Sequence, residues 1–264
     1  MNRITFSMLP IALVAMLIAG CGGGGSDAGS DSAEGGDTVA EEYTPAGSAV
    51  VSGSIQFTGT APEQQELNID RECMDIRSES GMAAALSEKV VVNDNGTLRW
   101  VFVYVKDGLG DMTFPASSEP VVLDQVGCTY TPHVFGVQAG QPILIRNSDA
   151  LLHNIHAQPN ENRSFNFGMP LAGQERTETF RVPEIGARIK CDVHPWMESF
   201  AGVTAHPYFS TSDESGAYSI DGLPAGDYVI EAWHEEYGVT EQSVSVADGE
   251  SVTLDFTFGD GAEA

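Results

Sequence analysis

With 38 Asp and Glu against 12 Lys and Arg in 264 residues, the chain carries a formal net charge of −26, and no Lys or Arg follows Lys190. That balance excludes nucleic acid as a partner, because neutralising phosphates requires the opposite sign. It suits a basic protein partner drawn in by the long-range field, and equally an acidic surface adapted to a salty habitat. The length beyond residue 46 suffices for two small β domains or one large one.

The N-terminus combines Arg3, an apolar run from Met8 to Ala19 and the small pair Ala19-Gly20 before Cys21, which predicts a signal sequence over residues 1–20. Pro10 interrupts the run, which is shorter than the ~20 residues of a spanning helix, so a permanent transmembrane helix is not expected. Leu17-Ile18-Ala19-Gly20-Cys21 resembles a bacterial lipobox. The resemblance implies cleavage before Cys21, lipidation of that residue and a chain hung by acyl groups on the periplasmic side of a membrane. Gly22, where an acidic residue would favour the inner membrane, points to the outer one. Residues 21–46, opening on Gly22 to Gly25 and rich in Ser, Asp and Glu, read as a flexible acidic linker.

The rest is β-patterned. Val50 to Phe57, Lys89 to Val92, Thr97 to Lys106, Pro120 to Leu123, Val134 to Gln138, Ile143 to Asn147, Thr177 to Val182, Ala187 to Cys191 and Phe200 to His206 are short runs rich in Val, Ile, Phe and Tyr. Asn93-Asp94-Asn95-Gly96 and Ala139-Gly140-Gln141-Pro142 are hairpin signals, and Met82 to Leu86 alone looks locally helical. The spacing argues for an all-β chain of sandwiches. Residues 47–119 read as an N-terminal β extension packed on a domain at 120–206, with a boundary near Pro207. Residues 207–260 then carry strand signals around Tyr218 to Ile220, Tyr228 to Ile230, Gln242 to Val246 and Val252 to Phe258. This last segment resembles carboxypeptidase regulatory-like, transthyretin-like modules, which implies a small Ig-like β-sandwich more than an activity.

If Cys21 is lipidated, Cys73, Cys128 and Cys191 remain, and three cannot all pair. A thiol kept reduced in an oxidising compartment is commonly a metal ligand. Cys191-Asp192-Val193-His194-Pro195-Trp196-Met197 brings a thiolate, an imidazole and a thioether into one turn. The expectation is therefore a Cys73–Cys128 disulfide, with Cys191 left for metal. Soft sulfur, borderline nitrogen and a weak second sulfur suit copper cycling between +1 and +2, and His153 offers a fourth ligand. Zinc is the chemical rival, from His153-x-x-His156 with Cys191-x-x-His194. However, an odd separation in an extended segment sends His153 and His156 to opposite faces.

Over roughly residues 120–203 these residues resemble the amicyanin and plastocyanin group of cupredoxins, the blue copper proteins. The resemblance implies a Greek-key sandwich with one type 1 copper ion on His153, Cys191, His194 and axial Met197, and Asn154 tying the two ligand loops together. It also implies that His194 breaches the surface, with Pro195 and Trp196 as the apolar patch. The expected function is single-electron shuttling between protein partners, such as a basic c-type cytochrome or a membrane oxidoreductase. The alternatives are a module for copper delivery or storage and a zinc-stabilised structural surface protein. An enzyme is not expected: Cys191 is flanked by Lys190 and Asp192, so the His-Cys-His run that couples a blue-copper site to a second centre is missing. His133, His156, His206 and His234 read as structural or surface residues, and Met169 as a weaker axial competitor.

Overall fold

The computed structural model describes residues 46–259. In chain order these form β1 (Ala49–Thr58), α1 (Arg71–Glu79), β2 (Phe102–Asp107), β3 (Val121–Val126), β4 (Thr129–Thr131), β5 (Val134–Gln138) and β6 (Ile143–Asn147). There follow β7 (His153–Gln158), β8 (Phe165–Met169), β9 (Gln174–Glu178), β10 (Glu184–Lys190), β11 (Glu198–Thr204) and β12 (Phe209–Thr211). The last are β13 (Ala217–Leu223), β14 (Gly226–His234), β15 (Gly238–Val246), β16 (Ser251–Thr253) and β17 (Phe256–Gly259). Among the described residues the fold is all-β apart from α1.

One sandwich packs the sheet β4-β3-β6-β9 against β5-β11-β10-β7-β8. Its core joins Leu123, Ile143, Ile145, Ile155, Ile189 and Val203, and it includes Cys191 and Met197. A second sandwich packs β12-β2-β14-β15 against β13-β1-β16, with β17 also on β1. Val51, Val103, Ile220, Ile230 and Phe256 fill it. The inner sheets of the two sandwiches then meet through Phe102, Val134 and Phe200, backed by Trp100, Phe209 and Trp233.

Alternation along the inner strands explains this layering. On β11, Ala201 and Val203 enter the first core while Phe200 faces the other sandwich; on β2, Val103 and Val105 enter the second core while Phe102 faces the first. Both faces are covered, so these strands read as continuous apolar runs. Close approach requires glycine: a Cβ on Gly202 would lie 2.3 Å from the Phe102 ring, and one on Gly136 would lie 2.2 Å from Phe209.

The pairing corrects the expected domain plan. Strand β1 bonds antiparallel to β13 and parallel to β16 and β17, and β2 bonds to β12 and β14. Both strands from residues 47–119 therefore complete the second sandwich, and the first sandwich is inserted between them and β12. Only the part of that stretch around α1 packs on the first core, through Cys73, Ile69 and Ile76.

Local differences have local causes. Asp70 caps α1 by accepting from Cys73 N at 2.8 Å, with Glu72 in the first turn, so the helix lies at 71–79 and not at Met82 to Leu86. Lys89 to Val92 makes one isolated bridge, Val92 to Leu98, across the expected Asn93–Gly96 turn. The Gly140 turn crosses between sheets instead of closing a hairpin, since β5 and β6 belong to opposite sheets. Strands β7 and β8 were not evident because polar His, Asn and Gln interrupt their pattern.

Candidate metal centre

Cys191 follows the last residue of β10, and the next residues turn back at once. Cys191 N donates to Met197 O at 3.1 Å, Met197 N to His194 O at 2.9 Å, and His194 N to Cys191 Sγ at 3.3 Å. The loop thus closes on itself before β11 starts at Glu198. Strand β7, which begins with His153, pairs antiparallel with β10, His156 opposite Lys190, so its first residue lies beside this loop.

Three donors converge there. One ligand atom each from His153, Cys191 and His194 lies within 4.8 Å of the others. The two Nδ1 atoms are 3.0 Å apart, and Cys191 Sγ is 3.9 Å from His194 Nδ1. Relative exposures are 0% for His153, 1% for Cys191, 3% for His194 and 1% for Met197. Met197 lies in the same core cluster as Cys191. Cys191 is the free thiol among the described residues, and Cys73 is bonded to Cys128, S–S 2.02 Å, the pairing expected from the His and Met neighbours of Cys191.

The surroundings fix these donors. Asp149 Oδ2 is 2.8 Å from His153 Nε2, which leaves Nδ1 to face the cluster; a carboxylate on the far nitrogen sets tautomer and ring orientation in metal-binding histidines. The same carboxylate accepts from Gly127 N at 2.7 Å and Cys128 N at 2.8 Å. Asn154 Oδ1 accepts from Asp192 N at 2.9 Å, bridging the two donor segments.

Electrostatics favour an anionic sulfur. Burial raises the Cys191 thiol, but contact with the His153 ring and the His194 backbone N–H outweigh it and bring the pKa below its ordinary value. Burial lowers His153, yet its bonds to Asp149 and Cys191 carry it above the usual range. His194 is lowered by burial and by the neighbouring His153 charge.

The expected surface role of His194 is not what its setting allows. Its side chain is buried, and Nε2 lies 3.4 Å from Asp70 Oδ2 at the start of α1. The segment carrying α1, stapled by Cys73–Cys128, occupies the place where an exposed edge was anticipated. Pro195 is exposed; Trp196 is half-buried, its ring 5.2 Å from that of His194 and its Nε1 bonded to Cys128 O at 3.0 Å.

The remaining histidines have other partners. His156 points away to Asp192, Nδ1 to Oδ2 2.9 Å, so it does not join the cluster that the zinc reading needed it in. His133 is paired with Glu235, His206 bonds Val105 O, and His234 Nδ1 accepts from Glu236 N. Met169 Sδ accepts from Gln125 Nε2 at 3.1 Å. Asp149 and Asp70 were not anticipated. Asp149 lies four residues before His153, but in a bend where that spacing marks no shared face; nothing local marks Asp70 as a neighbour of His194. Cys21 and the signal and most of the linker positions lie outside the described residues, among which no helix is long and apolar enough to cross a membrane.

The family model of the carboxypeptidase regulatory-like domain matches residues 200–259, starting within β11 and before the expected boundary. No curated protein sequence matches the chain. Among solved structures, the chain is similar to a purple cupredoxin from Nitrosopumilus maritimus, at 19% identity, 32% of this chain, 99% of that one and TM-score 0.28. It is similar to a methionine-to-alanine mutant of amicyanin in its Cu(I) form, at 17% identity, 38% and 97% coverage and TM-score 0.29. A Cu-containing nitrite reductase from Thermus scotoductus SA-01 is similar at 19% identity and TM-score 0.29, over 37% of this chain; the chain spans 25% of that protein's length.

Proposed function

We propose that the first sandwich would hold one copper ion on His153, Cys191 and His194, with the Met197 sulfur as a weaker fourth ligand, and that the protein carries single electrons between protein partners. The observation that carries this reading is the convergence of two Nδ1 atoms and one free thiol in a buried cluster. Two imidazoles and a thiolate are the donor set of trigonal electron-transfer copper sites. A bound copper ion supplies the +1/+2 couple. The chain's own residues hold and orient the donors: Asp149 sets the His153 ring, Asn154 links the loops, and the closed Cys191–Met197 turn leaves little freedom to rearrange. Burial excludes water from all four side chains.

The same rigidity favours electron carriage over delivery or storage, which require a site that surrenders its metal. Without a His-Cys-His run to couple a second centre, the reading is a carrier and not an enzyme. The N-terminal signal pattern and Cys21 support a lipid anchor at the periplasmic side of a bacterial membrane, the outer one by preference. The acidic surface suits a basic redox partner.

The test is an absorption and electron-spin spectrum of the copper-loaded protein, followed by reductant and oxidant cycles. An intense visible band that bleaches and returns supports the reading. Copper that binds without such a band, or cannot be cycled, refutes it.

A further inference from the structure

The four side chains are shut off from solvent, so a metal reaches them only if a wall moves. Most walls are sheet: β7 is bonded on both edges, to β10 and β8, and β10 is bonded to β11. The loop carrying Cys191 and His194 is closed by its own hydrogen bonds. The wall over His194 is different. Residues 65–87 form an excursion bonded to itself, by Leu67 N to Ala85 O, Ser87 N to Gln65 O and a bridge from Glu66 to Leu86. The excursion belongs to no sheet. It is fastened to the first sandwich by the Cys73–Cys128 disulfide, by Arg77 Nη1 donating to Gly127 O at 2.7 Å, and by apolar packing of Ile69 and Ile76.

The disulfide lies against both imidazoles. Cys73 Sγ, an Asp70 oxygen and a His194 nitrogen are mutually within 4.8 Å, and so are Cys128 Sγ, an Asp149 oxygen and a His153 nitrogen. The bridge fastens the covering segment directly above the donor set.

We propose that residues 65–87 are a disulfide-latched cover over the metal centre, and that a metal enters the centre through release of this cover by a dithiol reductant. In that step the reductant gives two electrons and two protons. The Cys73–Cys128 bond becomes two thiols, and the reductant's sulfurs join in a disulfide of their own. The use of the opening for metal traffic rests on the copper reading above; the opening itself does not.

The experiment uses the full chain, metal-free, treated with iodoacetamide and mapped by mass spectrometry, together with amide hydrogen exchange. In Cys73→Ser/Cys128→Ser, Cys191 alkylation accelerates by on the order of tenfold over the oxidised parent, α1 amides lose protection, and β10 and β11 keep theirs, as a local opening requires. Unchanged alkylation overturns the proposal, as does equal loss of protection in α1 and in β10 and β11. Should the double variant not fold, the parent chain reduced with dithiothreitol and freed of the reductant before alkylation shows the same acceleration if the cover gates the site; no acceleration there overturns it. Added Cu(II) blocks alkylation of the opened variant if the metal assignment holds. Fast alkylation that Cu(II) does not slow refutes the metal assignment and leaves the cover standing.

Discussion

Asp149 offers the sharpest test of how the donor set is held. Its carboxylate, in a residue only 4% exposed, accepts from Gly127 N, Cys128 N and the His153 ring at 2.7, 2.8 and 2.8 Å. Asp149→Ala strands three buried donors. Each unsatisfied group costs ~1–3 kcal/mol, and water entering the small gap recovers part of it, so the expected loss is about 3–5 kcal/mol. Asp149→Asn keeps the shape but turns an amide donor toward a backbone N–H, for about 2 kcal/mol. Burial raises the Asp149 carboxyl, but the bonds from His153, Cys128 and Gly127 take it below 3.8. The stabilisation is therefore complete at neutral pH and is lost only as acid protonates the folded carboxylate. Urea unfolding of metal-free protein measures the loss, and competition with a chelator measures copper affinity, which falls ~10–100-fold once the ring is unfixed. A loss under ~1 kcal/mol with unchanged affinity would show that the carboxylate does not organise the site.

Cys191→Ser should abolish the visible band of the copper-loaded protein, while Met197→Leu keeps the band and shifts the reduction potential; wild-type spectra and potential from both variants would remove these residues from the ligand set. His234 is buried, and burial with the nearby His133 charge lowers its pKa to about 4 from 6.5. Its neutral form is native, so its contribution is whole above 6.5 and is lost as pH falls toward 4. Over that window the parent should lose roughly 3 kcal/mol more than His234→Gln in urea titrations, and parallel curves would contradict the assignment. Gly202→Ala forces a methyl into the Phe102 ring. It should cost ~1–3 kcal/mol, seen as a lowered thermal midpoint, whereas an unchanged midpoint would mean the sandwiches do not pack through that contact.

The sequence made much of the centre legible because its chemistry is local: Cys191, His194 and Met197 share one turn, and a leftover thiol in an odd set of three implied the Cys73–Cys128 bond. Asn154 entered only through the cupredoxin resemblance, which implied that it ties the two loops together. The burial of His194 was not, since Asp70 is more than a hundred residues away and reaches it through a cover whose position depends on a long-range disulfide. Strand partners were hidden for a similar reason. The pattern of β1 says that one face is buried, but nothing in Val50 to Phe57 says that its edges will pair with β13, β16 and β17 and not with nearer strands. Doubly covered strands such as β11 also lose the alternation that would have assigned their faces.

The insertion of the first sandwich has a practical result. Because β1 and β2 precede it while their partners follow it, a cut near Pro207 would not release a self-sufficient C-terminal piece: β13 would be stripped of β1, and β14 of β2. The segment matched at 200–259 is half of a split body. The inserted sandwich is gripped at both of its own ends, so it cannot swing free like a bead on a string.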